Sequence, residues 1–414
     1  MHSPTCLTDA ASPRYAGIDW ASDTHVVCVL DGRAAVVARF TVPHSRAGLA
    51  RLVTRLRDLQ VERIGIERGD GPLVQTLLDA DLRVAVIPPR QVKNLRGRYP
   101  GSGKDDRFDA YVLADAIRTD GHRLVDLVPD SPATRALRAL VRARQDLVEV
   151  RVGLVNQLRH TLELAFPGAV GLFFDLHSPI ARAFLRRYPT HADAAQLTEK
   201  TMAAWLRAEG YSGRTPAATF LQRLHSAPAG LTGTEANARR HVTLALLTAI
   251  DVIEAQAAEL TRRIKEALGL HPDGEIFTSL PRAGQVRAAA LLAEIGDARG
   301  RYPTWETLAA AAGACPVTYA SGKHRGVSFR YAADSKLRRA LTDFADDSRH
   351  ANPWAADVYQ RARARGMRHP HAVRVLARAW TIVLWQCWQT RTPYDPTRHR
   401  GLQRHLTQQT ADAA

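Results

Sequence analysis

Cysteine is scarce in this sequence, and its spacing forms no metal or disulfide pattern. The four cysteines, Cys6, Cys28, Cys315 and Cys387, lie far apart in 414 residues, and none belongs to a Cys-x-x-Cys pair. A disulfide framework is typical of small secreted chains with closely spaced cysteines, and a structural zinc site needs paired thiolates. The sequence argues against both and fits a reducing cytoplasm.

Long uninterrupted apolar runs are missing as well. The first fourteen residues contain no basic start followed by an apolar stretch, which is the pattern of an export signal. The most apolar late segment, residues 373–388, is broken by Arg374 and Arg378, whereas a spanning helix needs about 20 mainly apolar residues. We expect neither an export signal nor a membrane span, and therefore a cytoplasmic protein.

Acidic residues are outnumbered, and nearly all of the positive charge is arginine. Lys+Arg total 57 against 41 Asp+Glu, a net charge of +16, and only 6 of the 57 are lysine. A GC-rich genome would explain the ratio of arginine to lysine but not the net charge. The chain has the 45% apolar and 24% charged residues of a folded protein. Its charge predicts a polyanionic partner, with nucleic acid first.

The first 120 residues alternate between β-rich and helical patterns. Strands are predicted as two runs within residues 15–30 and at 34–42, 61–67 and 83–88. Helices are predicted at 45–59, 72–80 and about 107–118. This order predicts a mixed sheet covered by helices, with ligands bound at the carboxyl ends of the strands.

The remainder is predicted to be helical. One long helix ends near residue 165, and a second runs from about 234 to 268, with apolar residues that step by four and three as in a coiled-coil seam. Those residues are Leu246, Ile250, Ile253, Ala257, Leu260 and Ile264. Antiparallel pairing of the two helices, joined by residues 166–231, satisfies this pattern, and so does a homodimer seam. From residue 275 an all-helical region is expected, with a possible helix-hairpin-helix at 280–296.

The predicted fold class is therefore α/β plus all-α, in four segments. Residues 1–128 form a mixed-sheet domain, 129–270 a long-helix coiled-coil region with an insert, 271–395 a helical domain, and 396–414 a flexible tail. The polar composition of the last segment predicts fraying.

Four acidic residues from separate segments are candidates for one site. Asp19 lies inside an apolar strand and Glu67 ends another, while Asp106 and Asp109 lie one turn apart at a helix start. Such carboxylates repel one another unless cations neutralise them, and oxygen ligands suit Mg²⁺ or Mn²⁺. The set predicts metal-dependent phosphoryl chemistry. Asp105 is expected to be a spectator, and Lys104 and Arg107 either contact phosphate or balance charge.

Half of the excess positive charge lies in residues 321–380, which hold 13 Lys+Arg and 5 Asp+Glu. We expect this segment to contact nucleic acid. The candidate contacts are Lys323, His324, Arg325, Arg330, Arg361, Arg363 and Arg365. Ser321, which precedes Gly322 and this basic run, is a possible nucleophile if a metal or base takes its proton. A plain loop turn is the simpler interpretation, and Ser328, Ser335 and Tyr319 are the alternative nucleophiles.

Two groups of motifs carry a family resemblance. GIDWASDTHVVCVLDG, IGIERGDGPL and GKDDRFDAYVLADA, followed by ALLAEIGDARGRYPTWETLAAAAGACPVTYASGKHRGV, resemble the two domains of transposases of the insertion sequence 110 family, also called bridge recombinases. The resemblance covers about residues 15–165 and 275–390. It implies a RuvC-like (ribonuclease H-like) domain in which Asp19, Glu67, Asp106 and Asp109 are the metal ligands.

The resemblance also implies a mechanism and partners. Ser321 would join covalently to a DNA 5′ phosphate, and the active site would be composite, with the acidic domain of one protomer beside the serine domain of another in a homodimer or homotetramer. The expected partners are double-stranded DNA of the element ends and target, and a structured guide RNA. Two alternatives remain open at this point. One is a metal-dependent nuclease or junction resolvase in which water attacks, and the other is an inactive DNA-binding repressor.

Overall fold

The computed structural model describes residues 12–99, 105–322 and 324–412. The chain divides into two compact units. Unit 1 contains the residues up to Asp130 together with Ala298–Pro303, and unit 2 contains Ser131–Asp297 and Thr304 onward. The expected division at 270/271 has no counterpart, because α12 (Gly284–Ile295) packs on the long helices α5 (Pro132–Ala165) and α10 (Gly233–Gly269).

Unit 1 is built on a five-stranded mixed sheet in the order β3-β2-β1-β4-β5. The strands are β1 (Arg14–Trp20), β2 (Thr24–Leu30), β3 (Val36–Pro43), β4 (Val61–Ile66) and β5 (Val84–Val86). β2 runs antiparallel to β1 and β3, whereas β4 lies parallel to β1 and β5 parallel to β4. This is the RuvC-like, ribonuclease H-like arrangement, so the predicted fold class is confirmed.

Helices cover both faces of this sheet. They are α1 (Arg46–Asp58), α2 (Pro72–Asp79), α3 (Pro89–Arg96) and α4 (Asp106–Asp120). Residues of α1 and α2 such as Leu52 and Leu77 pack with Ile18 and Ile64 on one face, and α4 packs on the other face. Helix α3 was not predicted, because the two prolines at its start resemble a break, although proline is well tolerated in the first turn of a helix.

Unit 2 is organised around the long helices α5 and α10, which pack along each other. The buried positions of α10 include Leu247, Ile250, Ala257, Ile264 and Leu268. Of the expected seam, Ile250, Ala257 and Ile264 are buried, whereas Leu246, Ile253 and Leu260 are half-buried.

Polar side chains also join the two long helices α5 and α10. Arg151 Nη1 bonds Glu254 Oε1 at 2.9 Å, and Arg144 Nε donates to Thr261 Oγ1 at 2.7 Å. Glu254 and Thr261 thus stand in the packed face where a hydropathy pattern expects apolar residues.

The segment between the long helices folds into a small aromatic core. It contains α6 (Pro179–Arg187), α7 (His191–Ala195), α8 (Glu199–Ala208) and α9 (Ala217–Ser226). Phe166, Phe184 and Phe220 are buried there against the ends of α5 and α10. Residues 166–231 therefore have a structural role, because this core packs on the two long helices.

The C-terminal part of unit 2 is mainly helical. Besides α12 it contains α11 (Gly274–Thr278), α13 (Trp305–Ala311), α14 (Ser335–Ser348), α15 (Pro353–Ala364) and α16 (His369–Thr390). It also contains an antiparallel hairpin, β6 (Val317–Ser321) and β7 (His324–Ser328), which the all-helical expectation lacked. The short strands have no apolar alternation, and every residue of β6 is exposed, so no hydropathy signal marks them.

The C-terminal segment 396–414, predicted to be a flexible tail, is mostly helical in the structure. Residues Arg400–Asp412 form helix α17, which packs on α15. Before it, His399 stacks edge-on against Trp354, with ring centroids 4.4 Å apart, and accepts or donates a 3.0 Å bond to the hydroxyl of Tyr394. This aromatic anchor fixes a segment whose own composition is polar.

One helix within the described residues has the length and composition to cross a membrane. It is α10, and packed helices of soluble proteins can have the same length and composition.

Candidate active site

Asp19 and Glu67 are placed side by side by a repeated Gly-Ile-acid sequence. β1 ends in Gly17-Ile18-Asp19, and β4 leads through Gly65-Ile66 into Glu67. The parallel pairing aligns Gly17 with Gly65 and Ile18 with Ile66, so the two acids follow at the same end of the sheet. Because side chains alternate along a strand, each acid lies on the face of its glycine.

The two glycines allow α4 to approach that face. A Cβ on Gly17 would lie 2.0 Å from the Ala110 carbonyl oxygen, and one on Gly65 would lie 2.7 Å from the Leu113 carbonyl oxygen. Only glycine permits this contact between helix backbone and sheet. The first turn of α4, with Asp106 and Asp109, is thereby held beside the two strand-end acids.

The start of α4 assigns separate roles to three neighbouring aspartates. Asp105 is the N-cap, and its carboxylate accepts the Arg107 backbone N–H at 3.2 Å. Asp106 is exposed, whereas Asp109 is buried in the same turn. Arg107 points to solvent, and Lys104 lies outside the described residues. Asp105 is thus occupied by capping.

The other three acids act electrostatically on Asp19. The pKa of Asp19 is raised from 3.8 to about 6, first by burial and then by the negative charges of Asp109, Asp106 and Glu67, while Arg96 lowers it. Burial and like charge both disfavour ionisation of a carboxyl group. The acids from β1, β4 and α4 therefore form one cluster.

Arg96, at the end of α3, is a site residue that sequence reasoning missed. Its Nε and Nη2 contact the two carboxylate oxygens of Asp109 at 2.7 and 2.5 Å, and Nη2 lies 4.0 Å from Glu67 Oε1. This bidentate contact partly neutralises the cluster. No local pattern in the sequence links Arg96 to Asp109; the repeated Gly-Ile-acid, in contrast, is a signal that could have identified the close approach of α4.

The donor chemistry of the cluster suits a hard divalent cation. Carboxylate oxygens are the ligands that Mg²⁺ and Mn²⁺ prefer. Among the residues that the structure describes, however, no three His, Cys, Asp or Glu side chains are grouped so as to hold a metal ion as they stand. In this arrangement both oxygens of Asp109 are bound by Arg96.

Ser321 lies in unit 2, at the tip of the β6–β7 hairpin. It is exposed and pairs with His324 as the last rung of the ladder. Gly322 follows with a φ of +56°, a left-handed conformation that suits glycine and closes the turn. The hydroxyl of Ser321 is therefore displayed on a narrow protrusion.

The other predicted nucleic-acid contacts are spread over unit 2. Arg361, Arg363 and Arg365 are exposed at the end of α15, where Arg361 Nη2 pairs with Asp357 at 2.7 Å. Arg330 lies just beyond β7, and its Nε donates to the Cys315 carbonyl oxygen at 3.1 Å. Lys323 and the side chains of His324 and Arg325 lie outside what the structure describes.

Comparisons with known proteins match both ends of the chain. A family model for the DEDD domain of insertion sequence 110 elements, described as "Transposase", matches residues 16–167. A second, described as "Transposase IS116/IS110/IS902 family", matches residues 274–360. These matches and the fold define the chain as a DNA transposase.

The chain belongs to the insertion sequence 110 family of transposases. It is 34% identical to the mini-circle putative transposase for IS117 of Streptomyces coelicolor, over 93% of this chain and 96% of that one. It is 29% identical to the IS900 uncharacterized 42 kDa protein of Mycobacterium paratuberculosis, over 93% and 98%.

A solved structure of T. thermophilus RuvC in complex with a Holliday junction substrate is also similar. It matches 28% of this chain and 99% of its own, at 16% identity and a TM-score of 0.23. That score is too low for the likeness to support a functional argument.

Proposed function

We propose that this transposase cuts and rejoins DNA through Ser321, assisted by Mg²⁺ or Mn²⁺ held by Asp19, Glu67, Asp106 and Asp109. The observation that carries the proposal is the position of these acids at one end of the sheet, where burial and then the charges of the other three raise the pKa of Asp19. Ser321 supplies what the acidic cluster lacks, an exposed hydroxyl on a protruding hairpin.

The reaction exchanges one phosphodiester for another. Ser321 Oγ attacks the scissile phosphorus and loses its proton, the bond from phosphorus to the 3′ oxygen breaks, and the strand leaves as a 3′ hydroxyl. The 5′ phosphate stays on Ser321. A 3′ hydroxyl of another strand then attacks this phosphoserine, restoring the serine and a DNA backbone, so no energy source is needed.

The residues of this chain have separate roles in the proposed reaction. A cation bound to the four carboxylates would stabilise negative charge on the phosphate and lower the pKa of the serine hydroxyl. Arg96 holds Asp109 in place, and a cation bound there would have to displace its guanidinium. His324 and Arg325 follow the serine in sequence and would contact the phosphate, as would Lys104, Arg107 and Lys323.

The partners follow from charge and from the family. With a net charge of +16, the chain suits a polyanion, and we propose double-stranded DNA of the element ends and target, contacted by Arg330, Arg361, Arg363 and Arg365. A structured guide RNA transcribed from the element, and a homodimer or homotetramer with a composite site, complete the proposal. We place this activity in the cytoplasm.

A covalent adduct tests the proposal. Wild-type protein is incubated with end-labelled duplex carrying the element end and Mg²⁺, with the RNA transcribed from the flanking DNA, then denatured and separated by size. We expect labelled DNA on the protein, lost in Ser321→Ala and retained in Ser328→Ala. Free cleaved DNA without an adduct would instead indicate the alternative, a nuclease that uses water.

Mixing variants tests the composite site. Asp19→Asn lacks a metal ligand and Ser321→Ala lacks the nucleophile, so neither should form the adduct alone. If the two units act across protomers, a mixture should form it on the Asp19→Asn chain, as shown by a size tag on one variant. A mixture that stays inactive while wild type reacts would mean that each chain uses its own serine.

A further inference from the structure

Three arginines gather at the foot of the Ser321 hairpin. Phe329 directly follows β7, and the guanidinium carbons of Arg338 on α14 and Arg374 on α16 lie 4.6 and 4.8 Å from its ring centroid. Arg338 Nη2 also donates to the carbonyl oxygen of Arg330 at 2.7 Å. We call Arg330, Arg338 and Arg374 the hairpin-foot cluster.

The guanidinium groups of this cluster have no acidic partner in the part of the chain that the structure describes. Among the described residues, no carboxylate forms an ion pair with any of its three guanidinium groups, whereas Arg339, next to Arg338, pairs with both Glu149 and Asp343. Arg338 Nε is buried and has no hydrogen-bond partner. Since buried polar groups are nearly always satisfied, this unpaired donor makes the cluster costly as it stands.

The like charges of Arg338 and Arg374 also destabilise the cluster. The pKa of Arg374 is lowered, first by burial and then by the positive charge of Arg338. Two partly buried cations close together are unfavourable unless an anion joins them. Phe329 offsets only part of that cost, because cation–π contacts contribute about 0.5–2 kcal/mol each.

The surroundings suit a nucleic-acid strand. Guanidinium groups bind phosphate oxygens through paired N–H donors. Tyr331, whose ring lies 4.9 Å from that of Phe329, is 77% exposed and presents a flat face beside the cluster. Exposed aromatic rings next to phosphate-binding arginines stack on unpaired bases.

We propose that the hairpin-foot cluster binds a backbone phosphate of the DNA strand that Ser321 attacks, with Tyr331 stacking on a neighbouring base. The assignment of this phosphate to the strand that Ser321 attacks rests on the proposed function; the phosphate site itself does not. Val317, at the foot, is four residues from Ser321, which corresponds to about 13 Å of extended chain. At roughly 3.4 Å per nucleotide, the bound phosphate lies within about four nucleotides of the scissile one.

The test measures binding without chemistry. In a Ser321→Ala background, equilibrium binding of an element-end duplex with unpaired bases on the strand that Ser321 attacks is titrated against salt, with and without Arg338→Gln plus Arg374→Gln. We expect affinity to fall at least tenfold and the slope of log K against log salt to decrease by about 0.7–0.9, the contribution of one phosphate contact. An unchanged slope would overturn the proposal, whatever the adduct assay shows.

Three controls make the result specific. Arg262→Gln removes an exposed arginine that pairs with Glu259 and Glu266, and should leave the slope unchanged. Because the cluster charges repel, the double variant should melt no lower than its parent; if it does not fold, Arg374→Gln alone is titrated. The same titration with the element RNA separates the sources, and a slope that decreases for RNA but not for DNA would overturn the assignment to DNA.

Discussion

At the scale of single residues, Arg96 determines the state of the acidic cluster. Its guanidinium binds both oxygens of Asp109 and lies 4.0 Å from Glu67, where a cation would also bind. The side chain thus neutralises part of the negative charge of the cluster, and it would compete with a bound cation for Asp109. Charged hydrogen bonds of this kind contribute about 1.5–3 kcal/mol each.

Arg96→Met separates these two effects. Without metal the variant should be less stable by roughly 1–3 kcal/mol, because the carboxylates lose their neutralising partner. With saturating Mg²⁺ it should regain more stability than wild type, since the cation no longer displaces a guanidinium and ligand binding stabilises the folded state. The measurement is the unfolding midpoint with and without Mg²⁺.

Arg98→Met is the matched control. Arg98 lies two residues further on and pairs with Asp120 at 3.3 Å while remaining half-exposed. Its substitution should leave the Mg²⁺-induced shift as in wild type. A shift in Arg96→Met that equals or falls below the wild-type shift would contradict competition between Arg96 and the cation.

At the scale of elements, the contact between α4 and the sheet positions the acids. Gly17→Ala would place a methyl group 2.0 Å from the Ala110 carbonyl oxygen, and backbone cannot move aside as a side chain does. We expect a loss of stability of roughly 1–3 kcal/mol from overpacking, together with weakened metal binding as the first turn of α4 shifts. Chemical denaturation and metal titration measure the two effects.

Gly153→Ala is the control for that experiment. Gly153 lies within α5, and a Cβ there has no neighbour within 4 Å. Replacing a helical glycine by alanine should raise stability by up to about 1 kcal/mol without touching metal binding. Equal behaviour of the two alanine variants would mean that the close approach of α4 is dispensable.

The sequence predicted the elements of unit 1 well because their patterns are local. Alternating apolar residues identified the strands, and helical spacing identified α1, α2 and α4. It missed α3, whose start at Pro89 resembles a break, and the β6–β7 hairpin, whose exposed strands have no apolar periodicity. Helix α17 was missed because its order depends on the distant ring of Trp354.

At the scale of the whole molecule, the fold class and the family were predicted correctly, and the predicted boundary at 128/129 lies close to the boundary of the two units at Asp130/Ser131, whereas the predicted boundary at 270/271 has no counterpart. Helix α12 packs on α5 and α10, so the expected coiled-coil region and helical domain form one unit. Contacts between residues far apart in sequence decide such boundaries. Arg96 was not predicted as a site residue for the same reason, because its contact with Asp109 depends on how α3 and α4 pack together.

Binding of Mn²⁺ tests the central claim most directly, because every other step depends on the four carboxylates acting together. Wild-type protein is titrated with Mn²⁺, and binding is monitored by calorimetry and by paramagnetic resonance of the free ion. We expect saturable binding. Asp19→Asn, Glu67→Gln, Asp106→Asn and Asp109→Asn should each weaken it at least tenfold, while Asp105→Asn, which keeps a capping side chain at the start of α4, should bind as wild type does. Binding that survives all four substitutions, or that is lost equally in Asp105→Asn, would contradict the account.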